Sequence, residues 1–358
     1  MLTIPLIALF AFAGPSVSAQ FSNGFVKGVN WPWGSTGAYG HWLSTELSTG
    51  YGSSYVPDDT TLAMESANAI GAEWMRIWLF EAGQGLTIDG NGYVASVLPD
   101  FWSNLDDVMD KAKASNILLY PTLFTSPPGQ AGGDMSKFAN WFTDPQAQTA
   151  MLNNAVLPLV QRYSDGPIAA WQLYNEMNGK YWFTNPYWQG SASSTYVSNA
   201  DARTWISAMV SAIKGVNGNF KVSTSQMLCD DAYHPPQSNN NDYVGTGLDF
   251  YDVHVYSDNG ADLIPASDLG LDGPVILGEF GEITAEGPDH QSQVLQNFLD
   301  TAVSGGWSGA LYWTLGSQYP TAAQNAGLSC PDAQNIYSLF NCEGQPVEAY
   351  TTFQSFKA

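Results

Sequence analysis

The sequence predicts an α/β protein, a single (β/α)8 TIM barrel with extended βα loops. Three observations carry that expectation. Short apolar, β-rich runs alternate with longer amphipathic stretches; there are eight such runs; and no Gly/Ser or Pro linker, internal repeat or low-complexity tail divides the 358 residues. A barrel of this kind occupies roughly 250 residues or more as one unit, so the length fits.

In chain order the candidate strands are GFVKGVNW, AEWMRIWLF, NILLYPTLF, AAWQLYN, FKVSTS, DFYDVHVY, PVILGEF and GALYWTL, which lie between residues 24 and 315. Helical patterns separate several of them: Asp58 to Ile70, Asp100 to Ala114, Pro145 to Tyr163, Asp201 to Val216 and Asp289 to Val303. Several open with Asp as an N-cap or carry it in the first turn, where it satisfies free amides and complements the helix dipole. The connections after the fifth and sixth runs, CDDAYHPPQSNNND and SDNGADLIPASDLGLDG, are rich in Pro, Asn and Gly and are expected to hold only short helices.

Residues 1–19, MLTIPLIALFAFAGPSVSA, combine an apolar stretch, a helix-breaking Gly-Pro and a small-residue end, although a basic leader is missing. This reads as a secretory signal peptide ahead of a catalytic domain over residues 20–358, so the expected location is extracellular. The apolar run is too short to span a bilayer. The three cysteines, Cys229, Cys330 and Cys342, could then form one disulfide. Cys330 with Cys342 is the first choice, and pairing of Cys229 with either stays open. No Asn-x-Ser/Thr sequon is present.

Charged residues make up 12%, about half the usual ~25%, so the surface is built largely from Ser, Thr, Asn, Gln and Gly. With 11 Lys and Arg against 33 Asp and Glu, the net charge of -22 opposes binding to nucleic acid or anionic membranes and favours a neutral partner. The four histidines are scattered and no Cys/His cluster has zinc spacing, so neither metal nor cofactor is expected.

Catalytic groups in such barrels sit at the C-terminal ends of strands. Polar groups recur there: Arg76 in the second run, Asn175 and Glu176 after the fourth, His254 and Tyr256 at the sixth, Glu279 at the seventh and Trp313 at the eighth. A carboxylate at the end of a buried strand needs a partner or a purpose, because an unpaired buried charge costs several kcal/mol. Two such carboxylates, Glu176 and Glu279, could flank one glycosidic bond, one protonating the leaving oxygen and the other attacking the sugar carbon or activating water. Arg76 has Glu279 as its expected partner.

YNE, HVY, GEFG, YWT and the Arg of MRIW, in barrel register, resemble the clan A retaining glycoside hydrolases, most closely glycoside hydrolase family 5, the cellulase and mannanase family. The resemblance spans roughly residues 24 to 316. It implies Glu176 as acid/base with a raised pKa and Glu279 as nucleophile, kept ionised by Arg76 and Tyr256. It further implies Asn175 on the sugar 2-hydroxyl, His254 on the acid/base side and Trp313 as an aromatic floor. Met177 follows Glu176 where the family usually has Pro, and the third run lacks a terminal His found in many members.

The implied activity is retaining, endo-acting hydrolysis of β-1,4-linked glucan or mannan by a secreted monomer. An exo-acting enzyme, or one for another β-glycan such as galactan or β-1,3-glucan, is the nearest alternative. A non-catalytic carbohydrate-binding barrel is disfavoured by the presence of both carboxylates, and a metal-dependent hydrolase by the lack of clustered ligands. Of 13 tryptophans, Trp31, Trp33, Trp78, Trp141, Trp182 and Trp188 fall where loops leave strands. As a group they suggest a groove stacking successive sugars, with Trp33 and Trp182 or Trp188 preferred. Glu81, Glu282 and the Asp230-Asp231 pair rank below the strand-end carboxylates.

Overall fold

The computed structural model describes residues 24–34, 42–47, 50, 52–125, 140–178, 197–228, 239–283, 286–316, 337–341 and 344–358. The expected signal peptide, all three cysteines, Trp182, Trp188 and Asp230-Asp231 lie outside these residues.

All eight apolar runs form strands of one parallel sheet. In chain order the elements are β1 (Val26–Asn30), α1 (Pro57–Ala69), β2 (Trp74–Trp78), β3 (Leu86–Ile88), β4 (Val94–Val97), α2 (Pro99–Ala114) and β5 (Leu118–Phe124). There follow α3 (Pro145–Met151), α4 (Leu157–Arg162), β6 (Trp171–Tyr174), α5 (Asn199–Val216), β7 (Val222–Ser223), β8 (Ser225–Met227) and β9 (Tyr251–His254). The chain ends with β10 (Val275–Phe280), α6 (Pro288–Ser304), β11 (Gly309–Tyr312) and α7 (Glu348–Ser355).

Sheet order is β7-β6-β5-β2-β1-β11-β10-β9-β8. β7 and β8 are two pieces of the fifth run, interrupted at Thr224: β7 pairs with β6 and β8 with β9, so the sheet's two ends meet and the barrel closes. The Thr224 hydroxyl donates to the carbonyl of Tyr174 across this break. β3 and β4 form a separate antiparallel ribbon in the second βα loop, which the alternation of apolar runs did not suggest.

Four of the expected helices begin at Pro, which needs no hydrogen-bond partner for its missing N–H and has a φ suited to the first turn. The acidic residues Asp58, Asp100 and Asp289 therefore act in the first turn rather than as N-caps. α5 carries a capping box between Ser198 and Asp201. The stretch from Pro145 to Arg162 is broken by a π-helical turn at Leu152–Val156. Pro158 explains it, because its ring clashes with the carbonyl four residues earlier and widens the turn. Between β9 and β10 the described residues hold one 3-10 turn, Ala266–Leu269, in line with the short helices expected there.

Inside the barrel the strands read two residues at a time. At the N-terminal end Val26, Trp74, Tyr120, Ala170, Phe250, Ile276 and Leu311 pack as an apolar plug. Two residues further along, the inward positions are Gly28, Arg76, Thr122, Gln172, Asp252 and Gly278, a polar layer. The outer strand faces and the helices form the larger apolar core.

Lys27, on the outer face of β1, fastens the C-terminal helix to the sheet. Its ammonium donates to the carbonyls of Phe353 and Phe356 at the end of α7 and lies 4.6 Å from the Phe353 ring centre. A cation at a helix C-terminus satisfies carbonyls left without intrahelical partners. Burial, helped by the nearby charge of Lys357, lowers the Lys27 pKa to about 8. Lys27→Met should keep the packing yet strand these carbonyls, lowering stability by about 1–3 kcal/mol, measured by denaturant unfolding.

Candidate active site

Arg76 stands in the polar layer with no exposed side-chain surface. Its Nε donates to Gln172 Oε1 at 2.9 Å, Nη1 to Asn30 Oδ1 at 2.9 Å and to Glu279 Oε1 at 2.5 Å, and Nη2 to Asn175 Oδ1 at 2.6 Å. The guanidinium thus joins β1, β2, β6 and β10 through groups near their C-terminal ends. The expected Arg76–Glu279 ion pair is present.

Glu279 reaches the interior through a bulge. Leu277 is opposite Val253, but Glu279 is opposite His254, so two residues of β10 face one of β9. Gly278 makes the bulge possible, because a Cβ there would lie 1.7 Å from Asp252 Oδ1. Ile276 and Gly278 face inward by alternation, and the extra residue brings Glu279 to that face as well.

Glu176 follows β6 with a positive φ of 48°, an uncommon backbone state for a side chain of its size. Its N–H donates to the Ser225 hydroxyl at 2.8 Å, and the next amide, of Met177, donates to the Ser225 carbonyl at 2.9 Å. β8 therefore fixes the turn that presents Glu176. Its side chain is 20% exposed against 6% for Glu279, so Glu176 opens towards solvent and Glu279 lies deeper.

His254 connects the two. Its Nδ1 lies 2.9 Å from Glu176 Oε1 and 3.4 Å from Glu279 Oε1, while Nε2 faces Asp252 Oδ1 at 3.3 Å, an ion pair rather than a well-aligned hydrogen bond. Burial alone would lower the imidazole pKa, but the charges of Glu279 and Asp252 and the hydrogen bond to Glu176 outweigh it and raise the value to about 9. Burial also pushes the Glu279 carboxyl above its ordinary range, with His254, Arg76 and the Tyr256 hydroxyl pulling it back. Tyr256 donates to Glu279 Oε2 at 2.9 Å. Although Tyr256 is 39% exposed, its hydroxyl end is sunk against Glu279, and desolvation there together with the Glu279 and Glu176 charges keeps that phenol protonated well beyond its usual range.

Glu176, His254 and Glu279 offer donor atoms within 4.8 Å of one another, close enough for a metal ion to bridge. Arg76 already holds Glu279 Oε1, however, and a metal ion there would face a guanidinium. The donor set fits a hydrogen-bonded imidazole–carboxylate group better than a metal centre.

Trp313 and Trp33 are brought together with Trp78 in a cluster with ring centres 5.1 to 5.5 Å apart, against which Tyr337 packs. Arg76 lies 5.6 Å from the Trp78 ring centre, so the cluster adjoins the carboxylates. Trp33 is only 3% exposed, and its indole N–H donates to Glu81 at 2.6 Å. Glu81 therefore supports the aromatic cluster. Trp31 and Trp141 belong to the outer core. Glu282 turns towards the start of α6, where His290 lies 4.0 Å away.

Reading strand ends alone misses Asn30, Gln172, Ser225 and Asp252. Asp252 had a signal, since it precedes His254 by two residues in YDVH and so shares its face. Gln172 and Asn30 are likewise polar interruptions of apolar runs at inward positions. Ser225 carried no comparable mark, because its role depends on where β6 and β8 meet.

His254 makes stability pH-dependent. Its folded pKa of about 9 lies above the ordinary 6.5, so its stabilising contribution is complete below pH 6.5 and disappears as pH rises through 9. Thermal unfolding from pH 6 to 10 should show this decline, and His254→Gln should flatten it. Gly278→Ala should lower the melting temperature and displace Glu279, detectable as loss of the Tyr256–Glu279 contact in a crystal structure.

No family model matches the chain. It is 23% identical over 353 residues to the mannan endo-1,4-beta-mannosidase of Mytilus edulis, an alignment covering 88% of this chain and 92% of that protein. The endo-1,4-beta-mannanase of Eisenia fetida has a similar structure, with a TM-score of 0.61, 22% identity and coverage of 88% of this chain and 93% of the other. So does GH5_18 from Streptomyces cattleya in complex with GlcNAc, with a TM-score of 0.65, 15% identity and coverage of 92% and 79%. This chain has the barrel fold of the family 5 glycoside hydrolases that its strand-end motifs resemble.

Proposed function

We propose that the protein is a secreted, retaining endo-β-1,4-mannanase. The observation that carries the reading is the pair of strand-end carboxylates, Glu176 and Glu279, with oxygens within 4.8 Å of each other. Retaining glycosidases hold their carboxyls about 5–5.5 Å apart, whereas inverting ones need about 6.5–9.5 Å to admit a water. Mannan is favoured over other β-glycans by the similarity to the mannosidase of Mytilus edulis and the mannanase of Eisenia fetida. Secretion rests on the apolar leader at residues 1–19, and a disulfide among the three cysteines would suit that compartment.

In this reading the deeper carboxylate, Glu279, attacks the anomeric carbon while Glu176 protonates the departing oxygen. Glu176 then takes a proton from the water that releases the sugar from Glu279. Arg76 and Tyr256 engage one oxygen each of Glu279 and fix its orientation. Because Arg76 occupies Asn175 Oδ1, the Asn175 amide nitrogen is the end left to donate to a sugar 2-hydroxyl. Trp313 supplies the apolar face beside the reacting ring. The two-glutamate route requires no cofactor.

The test is sugar release from mannan, glucan, xylan and galactan, with products sized over time. Mixed manno-oligosaccharides should appear early from mannan. Glu279→Gln should reduce kcat by at least ~10^3-fold, since the remaining amide cannot form the glycosyl ester. Early release of single sugars would establish exo action instead. Binding without turnover on every glycan would sink the catalytic reading.

A further inference from the structure

Asp252 is fully buried on β9 and takes no part in the two-glutamate reaction described above. Its Oδ2 accepts from the Tyr120 hydroxyl at 3.0 Å and from Gln172 Nε2 at 2.5 Å, while Oδ1 faces His254 Nε2. Gln172 cannot reverse its amide without penalty, because its Oε1 already accepts from Arg76 and from Thr122 at 2.5 Å. The network therefore presents a donor to Asp252 Oδ2 and leaves Oδ1 for the imidazole. The bulge at Gly278 keeps this side of β10 clear for the Asp252 carboxylate.

The titratable and charged groups facing His254 are Glu176 after β6, Glu279 on β10, Asp252 on its own strand, and Arg76 of β2 and Tyr256 beyond Glu279. Resting on the proposed reaction, the two glutamates change charge during the cycle: Glu279 is neutralised as a glycosyl ester, and Glu176 alternates between acid and base. Asp252, in the buried polar layer beneath them, takes part in neither bond change.

We propose that Asp252 is a positioning residue that holds the His254 imidazole protonated and fixed beneath Glu176, so that the glycosyl-enzyme, having lost the Glu279 charge, still presents a cation to Glu176. An ionised Glu176 is what the second step needs: it accepts a proton from water as the water oxygen bonds to the anomeric carbon and the bond to Glu279 Oε breaks. The effect of Asp252 therefore falls chiefly on deglycosylation.

Two variants test this. In Asp252→Asn an amide nitrogen must oppose either Gln172 Nε2 or His254 Nε2, so this variant is expected to lose stability. Asp252→Asn combined with Gln172→Glu reverses the pair: the carboxylate introduced at position 172 can accept from the amide introduced at position 252 while keeping the contacts with Arg76 and Thr122, and the layer retains its net charge. The double variant should recover thermal stability. In both, the His254 imidazole midpoint, followed by NMR without substrate, should fall by at least about one pH unit, the shift expected when a neighbouring opposite charge is removed or, in the double variant, moved from the imidazole to the Arg76 side of the layer.

With an activated aryl β-mannobioside at a pH above the wild-type His254 midpoint, where a lowered midpoint depletes the imidazolium, kcat and KM should fall together in the double variant. The expected drop in each is on the order of tenfold, the equivalent of one pKa unit. A folded double variant whose His254 midpoint stays at the wild-type value, or whose kcat and KM are unchanged, would overturn the proposal. If the wild type cleaved no glycan while the His254 midpoint still moved, the proposed reaction would fail and the electrostatic hold of Asp252 on His254 would stand.

Discussion

A guanidinium cut off from water inside the barrel sets the terms for everything around it. Removing Arg76 from solvent costs several kcal/mol unless its donors are met in good geometry. Oxygens of Asn30, Gln172, Asn175 and Glu279 meet them, from strands that are distant in sequence but converge in the barrel. Arginine suits this position because its flat fork addresses several acceptors at once, whereas the point charge of a lysine could not bridge them. The same bonds fix one oxygen of Glu279 and orient the Asn175 amide. The ion pair is therefore valuable less for net stability than for the geometry it imposes.

Inside the barrel, chemistry changes with height. The apolar plug closes the N-terminal end, a hydrogen-bonded polar layer lies above it, and the two glutamates stand at the C-terminal rim. Strand alternation would carry this pattern straight through, except at Gly278, where one added residue brings Glu279 inward beside His254. The polar layer is tolerable only because its members satisfy one another: Tyr120, Gln172 and Thr122 donate within the set, and Asn30 gives its amide to the carbonyl of Gly278 at 2.9 Å. The outer core supplies the apolar burial that supports this arrangement.

Much of this was legible in the sequence because the period of two and the position of each polar interruption are local signals. Arg76, Glu176, His254 and Glu279 each break or end an apolar run, so their meeting could be expected from barrel topology alone. The ribbon of β3 and β4 was hidden by its short, partly exposed strands, and the π-helical turn before Pro158 by an otherwise helical pattern. The covered state of Trp33 depends on side chains from other loops, as does the use of Glu81 as its hydrogen-bond partner. Asp252 could have been paired with His254 by alternation, but its links to Tyr120 and Gln172 arise only when the barrel closes.

The interruption of the fifth strand has a mechanical consequence. Glu279 belongs to a six-residue strand laddered on both sides, whereas the turn carrying Glu176 hangs from Ser225, the first residue after the break at Thr224. β7 and β8 contribute only two and three residues, so each side of this break is tied to the wall by a short ladder. The two carboxylates are thus mounted on strands of different length, four residues in β6 against six in β10. A displacement at that break would therefore reach Glu176 before Glu279, and in the proposed reaction it would change the spacing between proton donor and nucleophile.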